Sequence, residues 1–192
     1  MSFATGAGAG YIPLAPGTFG SLVGVALFFA FSNLGFALYV ASVAALTAIG
    51  VWASERAGRH FACEDDGRIV IDEVVGQLLT LAPLVVLKDL PLGSVAAPYG
   101  DPLVWQPGSV LEFLGSGPFA SLDIFFLLVV TGFVLFRLLD IWKPGAIGWA
   151  ERKFPGGVGV MADDMMAGFF GAILLTLPAY AALAGLLRRI AL

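Results

Sequence analysis

Five apolar runs constrain this 192-residue chain more than anything else in it: about Phe19 to Phe31, Phe36 to Ala53, Ile69 to Leu87, Leu122 to Trp142 and Met161 to Leu187. A helix crosses the bilayer core in about 20 apolar residues, and the last three runs reach that length. Backbone groups in hydrocarbon are satisfied only in helices or closed barrels, and uninterrupted runs of this length read as helices. Only Ser32-Asn33-Leu34-Gly35, with turn chemistry, separates the first two runs, which predicts a helical hairpin. The expected fold class is therefore all-α, a polytopic helical membrane bundle of about five apolar helices. Pro83 and Pro178 fall inside their runs and are expected to mark kinks that neighbouring helices accommodate.

Composition agrees. The chain is 59% hydrophobic and 12% charged, with a mean hydropathy of +0.93, far from the soluble average. Its length suits one domain over residues 1–192. Between the third and fourth runs, Lys88 to Pro118 holds five Pro and five Gly, which predicts an inserted loop in place of a helix. Trp105, Leu111, Phe113 and Leu114 either rest at the membrane interface, which favours aromatic residues, or are simply exposed. A net charge of −4 with scattered basic residues excludes a nucleic-acid surface. Cys63 is the single cysteine, so no internal disulfide forms. Residues 1–17 contain no Lys or Arg; a secretory signal is not expected, and the N-terminus should be retained.

Five crossings would put residues 1–18, 54–68 and 143–160 on one side, with Arg56, Arg59, Arg68, Lys143, Arg152 and Lys153. The other side would hold Lys88, Arg188 and Arg189. Six basic residues against three make the first side cytoplasmic. That count carries a chemical consequence. Asp72 and Glu73, Asp140, and Asp163 and Asp164 all sit at the edges of apolar runs, and all then lie near this same face. A charge at the bilayer centre costs about 2.5–3.5 kcal/mol on insertion scales, so such residues usually face protein, water or metal.

Each element has a bland and a functional reading. In Phe136-Arg137-Leu138-Leu139-Asp140-Ile141-Trp142-Lys143-Pro144, spacing of three puts Arg137, Asp140 and Lys143 on one helical stripe. That stripe is either a salt-bridge stack with a snorkelling lysine or a metal carboxylate flanked by two cations for an anionic substrate. In Asp72-Glu73-Val74-Val75-Gly76, adjacent carboxylates diverge by about 100° and can flank one cavity, and Gly76 allows close approach of another helix. Asp72 and Asp164 are each followed four residues later by glycine, a match short enough to arise by chance. Pro155-Gly156-Gly157-Val158-Gly159 reads as a glycine-rich loop, with Asp163 and Asp164 opening the last helix. Ahead of the first run, in Pro16-Gly17-Thr18-Phe19-Gly20-Ser21, Thr18 or Ser21 either caps the helix or helps its N-terminus bind phosphate.

Together these elements are more specific. Carboxylates without convergent Cys or His favour a hard cation such as Mg²⁺. Arg137 and Lys143 beside that cation suit a phosphate group, and a metal-held phosphate with an activated water amounts to phosphomonoester hydrolysis. A cysteine phosphatase is excluded, because three acidic residues lie between Cys63 and Arg68. No Walker loop is present. An ion or proton transporter using the carboxylates as its path is the alternative, and it needs acids near the midplane.

On the four blocks Pro16–Ser21, Ile69–Gly76, Phe136–Pro144 and Gly157–Asp164, in order and approximate spacing, the sequence resembles the phosphatidylglycerophosphatase A family. The resemblance implies a Mg²⁺-dependent, multi-pass enzyme of the bacterial inner membrane. It would convert phosphatidylglycerophosphate to phosphatidylglycerol at the cytoplasmic face, a step of phospholipid biosynthesis. Asp72, Glu73, Asp140, Asp163 and Asp164 are the implied metal site, with Glu73 or Asp163 as base. Lys143 and Arg137 would neutralise phosphate, and Thr18 and Ser21 would join them in binding substrate. Membrane lipids are the expected partners, with further copies of the chain as an open alternative. Lys88–Pro118 is longer than the family's connection at this point.

Overall fold

A computed structural model describes residues 1–63, 66–89 and 124–190. Its elements are α1 (Pro16–Phe31), α2 (Phe36–Phe61), α3 (Ile71–Asp89), α4 (Ile124–Trp142), α5 (Ala146–Lys153) and α6 (Gly156–Ile190). Two 3₁₀ turns, Gly6–Tyr11 and Ser32–Leu34, precede α1 and α2, and no strand occurs among the described residues. The five expected long helices are therefore present. Four stretches are long and apolar enough to cross a membrane: Pro16–Leu34, Phe36–Phe61, Phe125–Trp142 and Gly156–Ala181. The protein is a multi-pass membrane protein. The inserted loop expected over 88–118 lies outside the described residues, except that Lys88 and Asp89 end α3.

The fifth long helix, α3, has the same apolar character but carries Asp72 and Glu73 in its first turn and ends on Lys88-Asp89. It is the central element. Val74, Val75, Leu78, Leu81, Leu84 and Val85 are all buried, and α3 packs on α6 most extensively, then on α1, α2 and α4. The other helices turn apolar residues such as Leu38, Leu138, Phe169 and Leu177 outward, as a lipid-facing surface requires. Exposed Trp52, Trp142 and Trp149 gather near the C-terminal ends of α2 and α4 and on α5, the level at which aromatic belts form.

The hairpin expectation needs correction. The connection is short, as expected, but α1 and α2 barely touch each other. Each packs on α3 instead, because α1 presents a stripe of glycines (Gly17, Gly20, Gly24) to one face of α3. A Cβ at Gly20 would fall 2.8 Å from Val70 Cβ, and one at Gly24 would fall 2.8 Å from Gln77 Cβ.

The glycine-rich loop is likewise a helix. Gly156 enters α6 at φ +63°, a left-handed value glycine tolerates, and Gly157 donates its N–H to Glu55 Oε2 of α2 (2.9 Å). A carboxylate from another helix thus caps α6, where the N-terminal dipole favours negative charge. The N-terminal arm does the same for α3: the Ala4 carbonyl accepts bonds from Val70 N–H (2.8 Å) and Ile71 N–H (3.2 Å). Both Pro83 and Pro178 lie within continuous helices.

Candidate active site

A close approach of α3 and α6 builds the site. Gly76 of α3 and Gly168 of α6 lie against each other's backbones: a Cβ on Gly76 would come 2.7 Å from the Asp164 carbonyl oxygen, and one on Gly168 would come 2.5 Å from the Gly76 carbonyl oxygen. The repeated Asp-x-x-x-Gly spacing is therefore a packing device and no accident. In a helix, residues four apart share a face, so the glycine that admits the neighbouring helix brings Asp72 or Asp164 with it.

As a result, one oxygen each from Asp72, Glu73 and Asp164 can lie within 4.8 Å of one another. Asp72 and Asp164 are buried, and Asp72 Oδ1 and Glu73 Oε2 have no hydrogen-bond partner. Asp140 of α4 is close enough to act electrostatically on both Glu73 and Asp164. Clustered carboxylates that repel one another, two of them with a buried oxygen left without a partner, are unfavourable without a compensating cation. The donor set is all oxygen, and three donors converge, so the residues fit a hard divalent ion.

The basic residues flank this cluster from the α4 side. Arg137 Nη1 pairs with Asp140 Oδ2 (2.7 Å) and donates to Ser21 Oγ of α1 (3.3 Å). Lys143 departs from the expected stripe. It follows the last residue of α4 at φ +46°, with its N–H on the Leu139 carbonyl (2.8 Å), a left-handed helix end usually made by glycine. Such a conformation costs on the order of 1–3 kcal/mol outside glycine. Here it takes Lys143 off the helix, and its Nζ donates to Asp163 Oδ2 of α6 (2.6 Å).

All five carboxylates, Arg137 and Lys143 therefore gather at one end of the bundle, near Trp142 and Trp149. Thr18 and Ser21 cap nothing: Ala15 is the N-cap of α1, with no side-chain cap bond. Ser21 Oγ instead donates to the Gly17 carbonyl (2.9 Å) while accepting from Arg137, and Thr18 lies half-buried in the first turn of α1. The sequence reading overlooked Gly17. A side chain there would collide with Glu73 Oε1 and crowd Arg137 Nη1, so this glycine keeps the α1 edge of the cluster open. Its spacing with Gly20 and Gly24 is the signal that could have revealed it.

A family model for phosphatidylglycerophosphatase A matches residues 2–179. The chain belongs to the phosphatidylglycerophosphatase A family. It is 33% identical to phosphatidylglycerophosphatase A of Escherichia coli (strain K12) over 169 residues, 88% of this chain and 77% of that one. A putative phosphatidylinositol-3-phosphatase of Bacteroides thetaiotaomicron is 32% identical over 179 residues, covering 89% of this chain and 87% of its own. Phosphatidylglycerophosphatase A of Haemophilus influenzae is 29% identical over 171 residues, 88% and 82% of the two chains. No solved structure matches. As a member of the phosphatidylglycerophosphatase A family, the protein is a phosphatase.

Proposed function

We propose that the protein hydrolyses the phosphomonoester of phosphatidylglycerophosphate, releasing phosphate and phosphatidylglycerol, at the cytoplasmic face of a bacterial inner membrane. This would make it an enzyme of phospholipid biosynthesis. The observation that carries the reading is the convergence of Asp72, Glu73 and Asp164 within 4.8 Å, in a chain that matches the family over residues 2–179.

Asp72, Glu73 and Asp164, with Asp140 beside them, would hold Mg²⁺. When bound, the ion supplies positive charge to polarise a phosphate and to acidify a water. The chain's own residues do the rest. Arg137 holds the Asp140 carboxylate, yet a guanidinium has five N–H donors, which leaves donors for phosphate oxygens, and Lys143, on Asp163, adds a second positive charge. Of the two candidate bases, Asp163 already accepts a bond from Lys143, whereas Glu73 Oε2 is without a partner. Glu73 is therefore the better placed to take a proton from water. The apolar outer surface leaves the substrate's acyl chains in lipid while the headgroup reaches the carboxylates. Transport is not favoured, since the acids gather at one end and do not mark a path through the bundle.

The test is purified protein in mixed micelles, with phosphate release measured from phosphatidylglycerophosphate, phosphatidylinositol 3-phosphate and phosphatidic acid. Release from the first, lost on chelation and restored by Mg²⁺, is expected. No release from it with Mg²⁺ sinks the reading, and a preference for the inositol lipid transfers it to the activity in the Bacteroides relative's name.

A further inference from the structure

One turn below Glu73 on α3, Gln77 is fully buried, and neither its Nε2 nor its Oε1 has a hydrogen-bond partner. A buried amide with both ends unsatisfied is rare in a folded protein and calls for a reason. Packing does not provide one, because a methionine or leucine would fill the volume without the penalty. Nor is Gln77 free to swing away: its Cβ and Cγ lie against Gly24 of α1, where an added methyl would fall 2.8 and 3.1 Å from them.

Gln77 and Glu73 are four residues apart, so their side chains stand on one helical face with Cβ atoms about 6 Å apart. Glu73 Oε2 is the nearest functional oxygen in sequence that is also buried and unpartnered. An amide donates and accepts, so one water can bond both it and a carboxylate, and buried waters serve such orphaned groups. We propose that Gln77 is a positioning residue for Glu73, holding its carboxylate through one buried water between the Gln77 amide and Glu73 Oε2. This deepens the phosphatase reading and rests on it for Glu73's part in the reaction. Gln77 itself does not touch the substrate.

The experiment pairs Gln77→Met, close in volume and unable to hydrogen-bond strongly, with Glu73→Gln in a double-variant cycle. In the whole protein, Gln77→Met is expected to lower kcat at least about tenfold with KM changed less than about twofold, the signature of a lost orienting contact. Gln77→His, which keeps a donor and an acceptor, should recover part of that loss. The shift in Tm caused by Gln77→Met is expected to differ by more than about 2 °C between the wild-type and Glu73→Gln backgrounds. Wild-type kcat in Gln77→Met, or additive Tm shifts, overturns the proposal. If the wild-type protein releases no phosphate, the phosphatase reading falls instead, and the Tm cycle alone decides whether Gln77 and Glu73 are coupled.

Discussion

The first turn of α3 and a stretch about two turns into α6 carry the same device, an acidic pair with a glycine one turn beyond one of its members, but the two helices use it differently. Asp163 and Asp164 do not open α6 as expected, because the helix already begins at Gly156. In α3 the glycine is in register with the first acid, Asp72; in α6 it is in register with the second, Asp164. Those two carboxylates face each other across the glycine crossing. Their neighbours have different fates: Glu73 follows Asp72 and joins the carboxylate cluster, whereas Asp163 precedes Asp164 and meets Lys143. Register against the packing glycine brings Asp72 and Asp164 together, and the neighbour that follows its in-register acid (Glu73) joins the cluster while the one that precedes it (Asp163) becomes a flank.

The severest way to break this comparison is to remove the two in-register acids. Asp72→Asn and Asp164→Asn should each reduce phosphate release roughly a thousandfold, with folding checked by thermal unfolding. Near-wild-type turnover in either variant would mean that register does not select the functional acids. Flanking positions should matter less. Lys143→Met should lower kcat about 100-fold, the scale of losing one charge-stabilising donor. Asp163→Asn added to it should do little further harm, because the two share one ion pair; multiplicative losses in the steady-state rates would uncouple them.

Gly168→Ala sharpens the packing half of the comparison. Its new methyl would meet the Gly76 carbonyl oxygen, forcing the helices apart at a cost of about 1–3 kcal/mol. The expected loss in Tm is several degrees, with activity falling as the carboxylates separate. An unchanged Tm would show that the crossing is looser than described. Ser21→Ala should have the smallest effect. It removes one 3.3 Å acceptor from Arg137, whose bond to Asp140 remains, so kcat should stay within about threefold of wild type.

Much of this was legible in the chain. The five long helices came from apolar runs whose lengths match a bilayer, and the acids stood out because hydrocarbon is a poor solvent for charge. Sequence could not reveal where α6 begins, since its first turn is glycine-rich and its cap, Glu55, comes from a helix 102 residues earlier. It also assigned Lys143 to a stripe with Arg137 and Asp140, because spacing of three implies a continuing helix. A left-handed residue at the helix end cannot be read from a lysine.

By itself, then, the sequence determined that this protein is a membrane bundle with an acidic, phosphate-suited face. Hydrophobic length and the cost of buried charge are local properties of a chain. Only the tertiary structure decided which carboxylates share a cluster, that Gly17, Gly76 and Gly168 give them room, and that Lys143 reaches Asp163. Those outcomes depend on backbones from different helices approaching closely enough that one methyl group would keep them apart.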